Sequence, residues 1–228
     1  MVISIGRAYT LVGVWALASV ASAQTTLTFV GPNSGLWSVP TNWNPMAVPA
    51  NMGSTLFNAI LPSNKPVVFD LPMPTEISGF QMQSGSTLYL DGGESLEVLG
   101  VAVLGGLIDA EGPATSFVAA SPFTSTSSST RAFVRDGAMV LIAAPMYSLS
   151  STSQSNQSVM GCRGTNSLLD LSSVTSWSTT FNSNILTTYY LDVDASDGGV
   201  IDLSGLTSID GAEDNDYLRI TPASGGEI

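Results

Sequence analysis

From Lys65 onward, apolar and polar residues alternate in short runs: Pro66-Val67-Val68-Phe69-Asp70, Ile77-Ser78-Gly79-Phe80-Gln81-Met82, Thr87-Leu88-Tyr89-Leu90 and Ser95-Leu96-Glu97-Val98. In the last of these, Leu96 and Val98 lie on one side and Glu97 on the other, the period of two that a half-buried strand requires. Glycines at 85, 92, 93, 100, 105 and 106 separate the runs at intervals of about eight to twelve residues. Upstream, TTLTFV at 25–30 reads as a first strand, ended by the breaker GPNSG. No stretch from 24 to 228 keeps a helical period for ten residues, so the pattern predicts an all-β chain.

One pattern recurs. GGVIDLSGLTSID at 198–210 returns as NSLLDLSSVTSW at 166–177, as GGLIDAEG at 105–112 and as GGEI at 225–228. Asp109, Asp170 and Asp202 hold equivalent places in it, 61 and 32 residues apart, and DGAMVLIA at 136–143 falls where an intermediate copy belongs. A period near 30 accommodates three short strands and three turns per coil of a parallel β-helix, a solenoid whose coils bury their inner faces on one another. The main alternative is a β-sandwich, in which Asp91-Gly92 and Asp136-Gly137 would be hairpin turns. A leucine-rich repeat shares the rhythm of IDLSGLTSI, but the ladder Asn and a helical return are missing.

In the β-helix register Ile201 and Leu203 face inward with Asp202 outward, and Leu169 and Leu171 inward with Asp170 outward. Stacking at about 4.8 Å then sets Asp170 beside Asp202. Repulsion of an exposed pair in water is under about 1 kcal/mol, whereas each buried Leu, Ile or Val contributes about 1.5–3 kcal/mol. The column is therefore expected without any cation. GGEI begins a rung with nothing after it, which predicts that the chain is the N-terminal part of a longer protein with an exposed last coil.

Residues 35–49 are different in character. Trp37 and Trp43 stand six apart with Pro40, Pro45 and Pro49 among them, poor material for a helix or a ladder interior. They suit a compact irregular cap at residues 24–64 whose indoles cover the end of a core. The W-S-x-x-x-N-W-x-P-x-x-x-P segment at 37–49, followed by Gly-separated strands, resembles the start of many secreted bacterial parallel β-helix proteins. These include autotransporter-passenger-like chains and large exported repeat proteins of planctomycete-type bacteria. The resemblance, best over residues 35–112, implies a right-handed parallel β-helix, here over residues 65–228, and carries no catalytic residue.

Composition sets the compartment and narrows the partners. Arg7, an apolar run at 8–20 and Ala21-Ser22-Ala23 make a signal peptide over residues 1–23, cleaved after Ala23. The run is too short to span a bilayer, and no later stretch is long and apolar enough to do so. The expected location is secreted or cell-surface. The remaining 228 − 23 = 205 residues suffice for one domain with a sizeable core, and at 44% apolar and 11% charged the chain is expected to fold. Its formal charge is 5 − 18 = −13 once Arg7 is gone, which disfavours nucleic acid and acidic membranes. Cys162 is alone and reads as a small buried thiol, so no internal disulfide is expected. The Ser/Thr-rich segments at 121–130 and 148–158 read as external loops or polar outer strands.

Chemistry is sparse. With no His anywhere, serine and cysteine triads lack their base, and no glycine-rich phosphate loop precedes a helix. Lyases of β-helical shape use calcium beside an Arg or Lys base, and the cations here are Lys65, Arg131, Arg135, Arg163 and Arg219. Tyr190-Leu191-Asp192-Val193-Asp194-Ala195 alternates, with Asp192 and Asp194 on one face, and Asp197-Gly198 turns the chain. Hard oxygen ligands in that spacing make Asp192, Asp194 and Asp197 the candidate calcium ligands, the competing reading being a solvated outer face. Glu213-Asp214-Asn215-Asp216 reads as a polar turn. The sequence thus predicts a non-catalytic structural or adhesive module without a cofactor, contacting carbohydrate or a cell-surface protein. The alternative is a calcium-assisted polysaccharide lyase or hydrolase.

Overall fold

The computed structural model describes residues 24–120, 130–151, 157–181, 189–210 and 217–228. The signal peptide predicted at 1–23, residues 121–129 and 152–156 of the Ser/Thr-rich segments and the acidic group at 213–216 lie outside the described residues. What is described is all β apart from one short 3-10 turn, Pro40–Asn42.

The strands form long parallel sheets. An eight-stranded sheet runs Gly35–Leu36, Pro66–Phe69, Thr87–Asp91, Leu107–Glu111, Arg131–Arg135, Gln157–Arg163, Tyr190–Ser196, Tyr217–Pro222. A six-stranded sheet runs Thr75–Ile77, Ser95–Val98, Ser116–Ala119, Met139–Ile142, Leu168–Asp170, Val200–Asp202. A five-stranded sheet holds Trp43–Asn44, Gln24–Phe29, Leu56–Leu61, Gly79–Met82 and Ala102–Leu104, and a three-stranded one holds Met146–Ser151, Ser176–Phe181 and Ser208–Asp210. The chain visits them in rotation: Pro66–Phe69 in the first sheet, Thr75–Ile77 in the second, Gly79–Met82 in the third, then Thr87–Asp91 back in the first. Such an order is compatible with a β-helix or another solenoid.

Among the named strands only Trp43–Asn44 pairs antiparallel, with Gln24–Phe29. Asp136-Gly137 makes no hairpin, because Arg131–Arg135 and Met139–Ile142 belong to different sheets. Asp136 and Gly137 have φ of 53° and 91°, and Asp197 and Gly198 repeat this with 52° and 85°. Two successive left-handed residues, which Asp and Gly tolerate best, turn the chain from one sheet onto the next.

The period is not uniform. Partners lie 20 residues apart at Thr87↔Leu107, 24 at Leu107↔Arg131, 28 at Ala132↔Met160 and 33 at Met160↔Val193. Strand lengths change little while the connections lengthen. The equivalence of Asp109 with Asp170 and Asp202 is corrected by the register. Asp170 does pair with Asp202 in the six-stranded sheet, but Asp109 lies in the eight-stranded sheet between Tyr89 and Phe133. The position above Asp170 is Leu141. GGLIDAEG and GGVIDLSG look alike because both sheets obey the same alternation, inward at every second residue.

Inward positions form apolar columns. Phe69, Leu90, Ala110, Val134, Cys162 and Ala195 stack in one sheet, and Leu96, Phe117, Val140, Leu169 and Ile201 in another; each is at most 1% exposed. Burial of this kind supplies most of the stability. Burial also pushes the Cys162 thiol above its usual pKa, so the residue behaves as a small apolar filler. At one end Trp37 and Trp43 are buried, their ring centroids 4.7 Å apart in a T-shaped contact. Their indole N–H groups donate to Pro49 O at 3.0 Å and Trp37 O at 2.8 Å. At the other end Ser208, Ile209 and Asp210 are all exposed.

Candidate functional site

The recurring D-L-S has a local purpose. Asp170 Oδ1 accepts the Ser172 N–H at 2.9 Å, and Asp202 Oδ1 accepts the Ser204 N–H at 2.8 Å. Each carboxylate bonds backbone two residues on, and a turn follows in which Val174 N–H donates to Leu171 O and Leu206 N–H to Leu203 O. The hydrogen bonds from Ser204 hold the Asp202 carboxyl below its usual pKa. The aspartates thus form corners, and their charges are tolerated side by side.

The outer face of the eight-stranded sheet holds the candidate calcium ligands. Tyr190–Ser196 alternates half-buried and buried, with Leu191, Val193 and Ala195 inward and Asp192 and Asp194 on the outer side. Asp192 receives Arg219 from its register partner in the next strand, Nε to Oδ1 at 2.7 Å and Nη2 to Oδ2 at 2.9 Å. Arg219 also lies 5.0 Å from the Tyr190 ring centroid. Asp194 Oδ1 accepts the Ser158 hydroxyl at 3.2 Å. Asp197 Oδ2 receives Arg163 Nε at 2.8 Å. The structure therefore places Asp192 and Asp194 on one face and Asp197 in the adjoining turn, with two of the three paired to guanidinium groups. Among the described residues, no three acidic or cysteine side chains converge as a metal would need.

The same logic extends to every cation from residue 24 onward. Arg135 Nη2 lies 2.8 Å from Asp109 Oδ1 and 2.9 Å from Glu111 Oε2, both in the preceding strand. Arg131 donates to Gln157 Oε1 in the following strand. Lys65 Nζ donates to Gly31 O at 3.1 Å, 34 residues upstream. All five cations thus tie one turn of the chain to another. Asp109 is subject to opposing effects: burial raises its carboxyl pKa while Arg135 pulls the other way.

A second place is concave. On the outer side of the five-stranded sheet a groove of about 520 Å³ runs across the strands. Gln24, Thr26, Asn58, Ser78 and Gln81 line it with uncharged polar groups, and Ile60, Val101 and Val103 with apolar ones. Gln24 Nε2 donates to Asn58 Oδ1 at 2.8 Å. Gly79 follows Asn58 in its outward column, and a Cβ there would meet Asn58 Oδ1 at 2.6 Å. Sequence reasoning passed over these residues. TTLTF and LFNAIL show their alternation, but Thr26 and Asn58 are 32 residues apart and only the register brings them together.

Comparison of the chain with protein-family models, with curated proteins and with solved structures gave no match.

Proposed function

We propose that the chain is a right-handed parallel β-helix, exported by a signal peptide cleaved after Ala23, that acts as a non-catalytic structural or adhesive surface module. Its outer faces would make weak, extended contacts with carbohydrate or a cell-surface protein. The observation that carries this reading is the use of the cations: Lys65, Arg131, Arg135, Arg163 and Arg219 each link one turn of the chain to another. A lyase of this shape needs a free Arg or Lys base in a groove; the groove of the five-stranded sheet is lined by no ionisable side chain, and in the concavity that Asp192, Asp194 and Arg219 line on the eight-stranded sheet Arg219 is paired with Asp192. A structural module needs its strands held in register, which charge-assisted bonds between neighbouring strands favour.

The second reading, a calcium-assisted polysaccharide enzyme, is favoured by one cluster, Asp109 and Glu111 around Arg135, where burial raises one of two adjacent carboxyls. The readings separate when the protein is incubated with acidic and neutral polysaccharides, with and without calcium. The expected result is no new reducing ends and no unsaturated product. Depolymerisation that is lost in Asp109→Asn would establish the enzyme instead.

A further inference from the structure

We infer that the groove across the five-stranded sheet is a binding site for a neutral oligosaccharide segment; this rests on the module reading above and names its ligand class. Three observations support it. First, no ionisable side chain lines the groove, in a chain of formal charge −12. An anionic ligand would meet the repulsion of the whole chain, and with cleavage after Ala23 only the α-amino group of Gln24 would stand at the groove to offset it. A cationic ligand would find stronger partners on the six-stranded sheet, where Glu76 and Glu97, and Asp170 and Asp202, are register neighbours.

Second, the polar groups match alcohols. A sugar hydroxyl both donates and accepts, and so do the carboxamides of Gln24, Asn58 and Gln81 and the hydroxyl of Thr26. Asn58 is held in place: its Oδ1 accepts from Gln24, and its Nδ2 lies 3.5 Å from Thr26 Oγ1. A group fixed before the ligand arrives loses little freedom on binding. Thr26, Asn58 and Gly79 are register neighbours, as are Ile60, Gln81 and Val103 in the next outward column. The polar groups therefore recur at strand spacing, close to 4.8 Å.

Third, the floor is open and partly apolar. Gly79 carries no side chain where Thr26 and Asn58 do in the same outward column, and Val101 is 56% exposed. Carbon-bound faces of a pyranose can rest on Val101, Val103 and Ile60 while its hydroxyls reach the amides, the usual division of labour in a ligand site. The volume, about 520 Å³, falls within the range of such sites. An extended peptide would instead pair along a strand edge, and its capture is an outcome that counts against this inference.

The test is affinity electrophoresis of the full chain through gels containing neutral glucan, xylan or mannan, with polygalacturonate as the anionic control. Wild-type protein should be retarded by at least one neutral polymer and not by polygalacturonate. Asn58→Ala/Gln81→Ala should weaken that retardation by about tenfold or more, two hydrogen bonds being removed. Val101→Glu, which brings a carboxylate to the rim without touching the amides, should weaken it similarly, whereas Glu97→Gln on the six-stranded sheet should not. Thermal unfolding of each variant within about 2 °C of wild type shows that the fold is intact, as expected for surface changes. Retardation that survives both groove changes would overturn the groove and leave the adhesive reading standing. Absence of retardation by every neutral polymer would overturn the inference and leave only a structural role. Cleavage of a polymer would overturn the module reading itself.

Discussion

Gly106 offers the sharpest test of how the turns of the chain are spaced. A Cβ at this position would lie 2.2 Å from the Ser86 carbonyl oxygen, 2.9 Å from its hydroxyl oxygen and 3.0 Å from its carbonyl carbon. In Gly106→Ala the two segments must separate by about 1 Å to restore ordinary contact. The hydrogen bond from Leu107 N–H to Ser86 O, now 2.9 Å, would then pass out of range. Its net loss amounts to about 1 kcal/mol, and overpacking of the corner adds about 1–3 kcal/mol. The sum, about 2–4 kcal/mol, corresponds to a fall in Tm of roughly 5–15 °C for a chain of this length. Gly79→Ala is the comparison. There the Cβ meets Asn58 Oδ1 at 2.6 Å and Cγ at 3.2 Å, with the Val101 carbonyl oxygen at an ordinary 3.5 Å; Asn58 gives way by releasing its bond from Gln24, and the expected cost is about 1 kcal/mol. Thermal unfolding followed by far-UV circular dichroism reads both. Should Gly106→Ala melt no earlier than Gly79→Ala, close backbone approach does not set the spacing and the argument fails.

Two further outcomes follow from the interior and from the charged face. Phe117 is fully buried in the six-stranded sheet, 6.0 Å from the Phe80 ring, so Phe117→Ala should lower stability by about 3–5 kcal/mol in urea titration with the m-value unchanged. Asp109 binds its proton more tightly folded than unfolded, so between the ordinary value of 3.8 and its raised folded value it makes stability fall as pH rises. Comparing wild type with Asp109→Asn across that window should show stability falling less, or rising more, with pH in the variant; identical pH profiles would refute the assignment.

The sequence by itself determined the class of fold, because alternation is a local property. SLEV and YLDVDAS each reveal which residues turn inward without reference to any other strand, and the structure buries Leu96, Val98, Leu191 and Val193 as that alternation requires. The neighbourhood of Asp170 and Asp202 was likewise legible, since both sit in the same I/L-D-L-S context and fall on the same sheet. The misassignment of Asp109 marks the limit. Alternation says inward or outward but not which of the four sheets a strand joins, and GGLIDAEG satisfies the pattern equally well on the wrong one.

Only the tertiary structure decided how the charges are used. Arg219 and Asp192 are 27 residues apart, Arg163 and Asp197 are 34 apart, and Arg135 meets Glu111 across 24. These distances vary because the connecting segments vary, so no fixed spacing in the sequence announces a pair. The same holds for the groove. Thr26, Asn58 and Gly79 are three unremarkable positions until parallel pairing stacks them, and a glycine becomes a gap only when its neighbours above and below carry side chains. Side-chain direction is set by each strand alone, whereas side-chain company is set by register, and register is a property of the assembled sheets.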